Sequence, residues 1–436
     1  ASHSSGATDS RSESSAADEA LSTASGAGEG SRPSLSGKLM SRDELRASAA
    51  AIVREQPTMR YFLERSAPGD AGGRGRGRCS EGLCECLPPY RGEMCEFEDP
   101  PRVPQKVRAV IHYITAETER DLVDLSRSLE SLWRQFNKAF DYPIVVFHEG
   151  LSAKARRRII EASENRVWLA LIPKFKEVPA EWAEPAEAMA QDFAVGYRAM
   201  TRWRSGPCFL EPALAGFDYA MTLDTDSYIP APLGEDPFQL LDREGWVAAF
   251  PHLGRESASV VVNFMHHFLL YCRLKGLHAR RTEMLASLVE KNFKWYQQCL
   301  MLDIEVLRLD WFRGEAYQDM FRYMDSTGGF WLHRWGNNPV RTFAVALILE
   351  DNQVRSLDLP YAHQDFCSCG PGAPACVMNK TRGVYECDDA QSLSGIGVGD
   401  LAEGLLDLQP WRGTDRQRKK FTPSDVRNFV AEQMPF

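Results

Sequence analysis

The sequence predicts an α/β fold, a sheet of mainly parallel strands with helices on its faces. Three observations carry this. From Val107 to Leu223, short apolar runs alternate with longer segments of helical periodicity. The composition, 44% hydrophobic and 25% charged, is that of an ordinary globular chain. No apolar run approaches the ~18–20 residues of a membrane span; the longest lies near Phe343–Leu349. The 436 residues leave room for roughly two to four domains, or one large enzyme domain with appendages. A net charge of −9 argues against a nucleic-acid platform. The chain does not begin with Met, so a removed N-terminal signal or anchor is expected.

The elements follow in order. Residues 1–37 are rich in Ser, Ala, Gly and Glu, with Leu21 and Leu35 the only large apolar residues. Such a segment cannot offset its chain entropy, and is expected to be disordered. Ser41-Arg42-Asp43-Glu44 reads as a capping box, opening a short amphipathic helix within 41–65. Gly69–Arg78 reads as a flexible linker, which completes a stem over residues 1–78. A cysteine-rich module spans 79–97, and Pro100, Pro101 and Pro104 form a stiff spacer after it. A single large domain over 98–436 then begins. Strands are predicted at Val107–Ile114, Pro143–Phe147, Val167–Ile172 and Phe217–Leu223. Helices are predicted at Asp121–Phe140, Ser152–Ala162, Glu181–Trp203 and Val262–Leu270. Thr422-Pro423-Ser424-Asp425 opens a capped C-terminal helix.

Four signals could carry chemistry. Asp224-Thr225-Asp226 directly follows the fourth strand, where ligands of open α/β sheets bind. The two acids could hold a hard divalent cation against a diphosphate, or form a plain polar turn. Glu305 lies among Leu302, Ile304, Val306 and Leu307, where a carboxylate is costly unless used or paired. Arg334-Trp335-Gly336 is an unusual cluster whose Trp335 could stack on a sugar. Asn379-Lys380-Thr381 is an N-glycosylation sequon, with Asn379 the acceptor. Gly395–Gly399 reads as a flexible loop, since it follows no strand of a βαβ unit. Arg418–Lys420 reads as a solvated face.

The 11 cysteines are clustered, with Cys79, Cys84, Cys86 and Cys95 in one group and Cys367, Cys369, Cys376 and Cys387 in another. Clusters of this kind indicate disulfides in an oxidising compartment, or zinc. The first group has no His and no paired Cys-x2-Cys knuckles, which favours disulfides. The run from Cys84 to Cys95, with Tyr90 and Gly92, resembles the C-terminal half of an EGF-like module. That resemblance implies a Cys86–Cys95 bond, with Cys79 and Cys84 left over. Cys208, Cys272 and Cys299 remain, of which at most two can pair with each other.

Taken together, the segments from Val107 to Cys369 resemble glycosyltransferase family 15, the fungal α-1,2-mannosyltransferases. The matching runs are Phe136-Asn137 with Phe140, Tyr142 and Pro143; Tyr197-Arg198 through Gly206; Phe312-Arg313-Gly314-Glu315-Ala316-Tyr317; Gly328-Gly329-Phe330 through Asn337; and Tyr361-Ala362-His363. Asp224 stands where the family carries its metal-binding Glu. His333 and Asn337 stand where it carries acids.

The resemblance implies a GT-A fold, with a Rossmann-like nucleotide-binding domain built on a mixed sheet. It implies that Asp224, Asp226 and His363 hold Mn²⁺ against GDP-mannose, and that Glu305 is the catalytic carboxylate of a retaining reaction. Glu305 would attack the sugar, or would stabilise charge while the acceptor hydroxyl enters on the leaving-group face. Tyr197, Arg198, Arg202 and Trp335 are the expected donor-pocket residues, and the second cysteine group is expected to staple the loop carrying His363. The partners implied are a nucleotide sugar and a glycan or glycoprotein acceptor in the Golgi lumen, with a membrane reached only through an anchor absent from this chain. Two rivals stand beside this reading. One is the same fold with another donor or acceptor. The other is an inactive secreted protein that recruits partners through the EGF-like module.

Overall fold

The computed structural model describes residues 76–387, apart from 81–82, 92–93, 100–104, 164–165, 173–174, 184–193, 278–281, 290–293, 358, 365, 370–375 and 380–383. Residues 1–75 of the stem, the helix within 41–65, the loop at Gly395 and the helix opening at Thr422 lie outside these residues; Gly77 and Arg78, expected to end the linker, instead pair in a strand with Cys86 and Glu85.

The cysteine-rich module is two small hairpins. Strands β1 (Gly77–Ser80) and β2 (Leu83–Cys86) pair with Cys79 opposite Cys84, and β3 (Tyr90–Arg91) pairs with β4 (Phe97–Glu98). Cys86–Cys95 is a disulfide, as expected, and Cys84 is also disulfide-bonded.

The main sheet takes β5 (Ala109–Thr115), β6 (Ile144–His148), β7 (Val167–Leu171) and β8 (Tyr219–Leu223), all parallel. These match the four predicted strands within two residues at each end. The short β9 (Ser227–Tyr228) leaves the sheet after β8. Beyond it come β10 (Ala248–Phe250), β11 (Leu253–Arg255), β12 (Gln298–Leu300), β13 (Ile304–Arg308) and β14 (Val354–Ser356). The seven-stranded order is β14-β10-β13-β8-β5-β6-β7, with β13 antiparallel to both its neighbours, so the sheet is mixed. Side chains alternate between two cores. Val110, Val145, Ala220 and Leu307 enter one, and Ile111, Val146, Met221 and Val306 the other.

The helices follow from their caps and periodicity. Helix α1 (Glu119–Leu132) opens on Thr118, whose side chain accepts from the Asp121 amide, and buries Leu122, Leu125, Leu129 and Leu132. A π-helical turn, Trp133–Asn137, extends it to Phe140, where Asp141 at φ 54° ends it. Helix α2 (Ala153–Ala162) is capped by Ser152. The long helix predicted at Glu181–Trp203 is not continuous. Residues 180–183 are helical, but Ala194 is extended (ψ 149°) and α3 (Val195–Ser205) starts anew. Pro185 and Gly196 are the sequence reason, since both disfavour an unbroken helix there. Helix α4 (Phe264–Leu274), α5 (Glu315–Ser326), α6 (Gly329–His333) and α7 (Asn337–Ile348) complete the face over β13. No helix among the described residues is long and apolar enough to cross a membrane.

The cysteine-rich module docks on β7, the edge of the sheet. The Glu85 carboxylate accepts from the Leu171 amide (2.7 Å) and pairs with His148 (3.1 Å) and Arg156 (3.3 Å). The Trp168 indole donates to the Tyr90 carbonyl (2.9 Å), the Arg91 guanidinium lies 4.1 Å over the Trp168 ring, and Arg166 pairs with Asp99 (2.8 Å). An edge strand presents unpaired backbone donors, and Glu85 satisfies one of them.

After β14, the strands β15 (Tyr361–His363) and β16 (Phe366–Ser368) form a hairpin whose β15 also pairs with β9. Cys367–Cys376 and Cys369–Cys387 tie it to the next hairpin, β17 (Cys376–Asn379) with β18 (Val384–Cys387). The sequon residue Asn379 ends β17. Cys208, Cys272 and Cys299 are buried free thiols, so none of the three pairs with another.

Candidate active site

A cavity of about 460 Å³ opens where β5 and β8 end, within the roughly 300–1,000 Å³ range of small-molecule sites. Thr115 and Asp124 line one side, Lys176 and Tyr197 another, and Asp224, Asp226 and His363 the floor.

The floor is built by three elements. Leu223 ends β8, and the chain turns at once, with the Ser227 amide donating to the Asp224 carbonyl (3.1 Å). Strand β9 then pairs with β15 so that His363 lies opposite Ser227. The turn is held to β13 by a carbonyl just ahead of it. The Asp303 carbonyl accepts from the Asp224 amide (2.9 Å) and from the Ser227 hydroxyl (2.9 Å). His363 Nε2 therefore sits 3.1 Å from Asp226 Oδ1 and 3.8 Å from Asp224 Oδ2.

Burial works against a charged His363 ring. The hydrogen bond to Asp226 and the charges of Asp303, Asp224 and Asp226 outweigh it and hold its pKa above the ordinary histidine value. Burial likewise works against the Asp226 carboxylate, but His363 and Gln364 more than compensate and hold its pKa below the ordinary value. Burial pushes Asp303 up to about 7, against the pull of the His363 charge. The ligand atoms of Asp224, Asp226 and His363 lie within 4.8 Å of one another. Two carboxylates and one imidazole, partly open to a cavity, fit a divalent cation such as Mn²⁺.

Glu305 is not on the cavity wall. It is 2% exposed, on β13 opposite Thr222, and both its oxygens accept from Arg341, itself 1% exposed. The carboxylate in an apolar stretch is thus paired. Arg341 also donates to the Arg204 carbonyl, and the Arg204 guanidinium binds Asp224. Arg204 feels the charges of both Asp224 and Glu305, so alternating charge runs from the core to the floor, from Arg341 through Glu305 and Arg204 to Asp224. His112, whose Nε2 lies 2.9 Å from the Thr222 hydroxyl, completes a polar rung across β5, β8 and β13. Burial, with the charges of Arg204 and Arg341, pushes its pKa down to about 3, so it is neutral.

Of the four expected donor-pocket residues, only Tyr197 reaches the cavity. Arg198 is buried and donates to the Trp331 carbonyl, and Arg202 forms a two-pronged pair with Asp325 at 2.6 Å. Trp335 is fully buried, its indole donating to the Val262 carbonyl (2.9 Å) and its ring packed on Phe264 and Gly329. Helical spacing explains the split. Tyr197, Met200 and Arg204 recur at three and four residues and share the face toward the site, while Arg198 and Arg202 share another. Arg334 reaches this region instead, donating to the Tyr197 hydroxyl (2.8 Å) and pairing with Glu256 (3.1 Å). Arg204 and Asp303 were missed by sequence reasoning. The signal for Asp303 was the one that flagged Glu305, a carboxylate in an apolar stretch.

Known proteins resemble this chain in both sequence and fold. The glycolipid 2-alpha-mannosyltransferase family profile matches residues 92–392. The probable mannosyltransferase KTR3 of Saccharomyces cerevisiae is 24% identical over 270 residues, covering 59% of this chain and 67% of that protein. The glycolipid 2-alpha-mannosyltransferase of the same yeast is 23% identical over 318 residues, covering 69% and 71%. Core-mannan synthase A of Aspergillus fumigatus, solved in a Mn/GDP form, superposes with TM-score 0.57 at 20% identity, covering 73% of this chain and 93% of that one. Ktr4p of S. cerevisiae with GDP gives 0.55 at 17% identity, covering 79% and 92%. The fold is therefore of the GT-A type. With the family profile spanning well over half of its length, the chain belongs to the glycolipid 2-alpha-mannosyltransferase family of glycosyltransferases.

Proposed function

We propose that the chain is a metal-dependent, retaining α-1,2-mannosyltransferase that moves mannose from GDP-mannose to a glycan of a secretory glycoprotein. The observation that carries this is the convergence of Asp224, Asp226 and His363 on the floor of a nucleotide-sized cavity. The Mn/GDP and GDP forms of the two solved relatives support the donor and metal. Asp224, Asp226 and His363 would hold the cation. When bound, it supplies Lewis-acid stabilisation of the departing diphosphate. Tyr197 borders the donor, and Arg204 fixes the Asp224 carboxylate. Glu305 lies beneath the floor with both oxygens on Arg341, which favours the same-face route over direct attack by its carboxylate. In that route the acceptor oxygen bonds to the sugar C1 as the C1–phosphate bond breaks, and the acceptor proton leaves with the diphosphate. Glu305 acts from beneath the floor: with Arg341 it holds Arg204, and Arg204 holds the Asp224 carboxylate in place.

The disulfides support a secretory compartment, for which the Golgi lumen is the reading. Asn379, in the sequon, is then a glycosylation site. A different donor or acceptor is the second reading, motivated by His333 and Asn337. A donor screen tests both. GDP-mannose should be turned over with Mn²⁺ and not with a chelator. Preference for another nucleotide sugar would select the second reading. No turnover of any, with no Mn²⁺-dependent nucleotide binding, would revive the inactive binding protein.

A further inference from the structure

One carboxylate touches both halves of the floor without lining the cavity. Asp303 is 5% exposed and precedes β13. Its carbonyl holds the turn bearing Asp224 and Asp226, through the Asp224 amide and the Ser227 hydroxyl. Its Oδ2 faces His363 Nδ1 at 3.2 Å, accepts from the Tyr361 hydroxyl, and lies 4.0 Å from His252 Nε2. Its Oδ1 is buried with no hydrogen-bond partner among the described residues. An idle buried carboxylate oxygen costs stability, so this residue is not explained by packing. What it does explain is orientation. His363 has two ring nitrogens, and only Nε2 faces the two acids. A histidine binds a metal through one nitrogen when the other donates its proton to a fixed acceptor.

We propose that Asp303 is the positioning residue of this metal site. Its carboxylate holds the proton on His363 Nδ1 and so presents the Nε2 lone pair between Asp224 and Asp226, while its carbonyl holds the turn carrying them. This rests on the proposed metal-dependent function, and extends it by one residue. Asp303 is not itself a ligand. The stacked Tyr361 and His252 rings, 5.7 Å apart, both border Oδ2.

The test compares the unaltered chain with Asp303→Asn, which keeps the shape but offers a donor or a neutral acceptor to Nδ1. Mn²⁺ binding is followed with GDP present by the electron spin resonance of the free ion. Directly bound histidine nitrogen is read from the spin-echo modulation of the bound ion. The variant should bind Mn²⁺ roughly 10- to 100-fold more weakly and lose the nitrogen modulation, with its fold intact by circular dichroism. Equal affinity in the variant overturns the inference alone. Weaker binding with the nitrogen modulation retained also overturns it, because Asp303 would then act as a ligand or as general support. An unaltered chain that binds no Mn²⁺ overturns both this and the function on which it rests. Should the variant misfold, ¹⁵N-histidine spectra of the unaltered chain loaded with Mg²⁺ decide the matter. A proton on His363 Nδ1 supports the inference, and one on Nε2 overturns it.

Discussion

Glu305→Gln separates chemistry from architecture. The carboxylate and its partner Arg341 have side chains 2% and 1% exposed. Removing the charge leaves a buried guanidinium without its anion, which costs about 3–5 kcal/mol. The glutamine oxygen still accepts one bond, so the lower end applies, about 3 kcal/mol. For a domain of this size that lowers Tm by roughly 4–5 °C. Thermal melts read this directly. Transfer should fall by roughly 10- to 100-fold, the scale of losing a group that orients a site from behind. Mn²⁺-dependent GDP binding, measured by calorimetry, should survive, because Asp224, Asp226 and His363 are untouched. Adding Arg341→Met removes the unpaired guanidinium and should restore part of the lost Tm, but not the transfer. A Glu305→Gln enzyme with unchanged Tm and nearly full transfer would refute both the buried-charge reasoning and the carboxylate's role.

Other predictions follow the same geometry. Asp224→Ala removes a proposed ligand and the partner of Arg204, so calorimetry should detect no Mn²⁺-dependent GDP binding. Gly329→Ala puts a Cβ 2.2 Å from the Trp335 ring. Overpacking there should cost ~1–3 kcal/mol, read as a lower Tm. Glu85 is held below the ordinary carboxylate pKa, since His148, the Leu171 amide and Arg156 outweigh its burial. A depressed folded pKa gives stability that is complete above the unfolded value of ~4.3 and lost as pH falls through the lower folded one. Hydrogen exchange at the Leu171 amide should therefore accelerate below about pH 4, and Glu85→Ala should show that faster exchange already at neutral pH. Cys369→Ser with Cys387→Ser opens the tie behind β16. It should cost about 2–3 kcal/mol in that region, seen as faster amide exchange in β15.

Much of the fold was legible because strands such as Ala109–Thr115 and Tyr219–Leu223 are apolar runs bounded by polar turns. Strand β13 was harder to read. Its Glu305 breaks the apolar pattern, and only Arg341, 36 residues later, explains why it is tolerated. The metal ligands Asp224 and Asp226 could be seen as a pair after a strand. His363 could not be joined to them by local rules, since β9–β15 pairing brings it in from 137 residues away. Arg198 and Arg202 looked like phosphate ligands by type, but helix α3 turns them toward Trp331 and Asp325. The docking of the module was illegible, because an acid such as Glu85 reads as solvated until an edge strand is placed beside it.

Incubation of the purified chain with GDP-mannose, Mn²⁺ and a mannoside acceptor, with the product solved by NMR, decides whether the chain transfers mannose as proposed. GDP release should stop with a chelator, and a new α-linked mannose should appear on the acceptor 2-hydroxyl. A β-linked product, another linkage, or release that ignores the metal would contradict the proposed function.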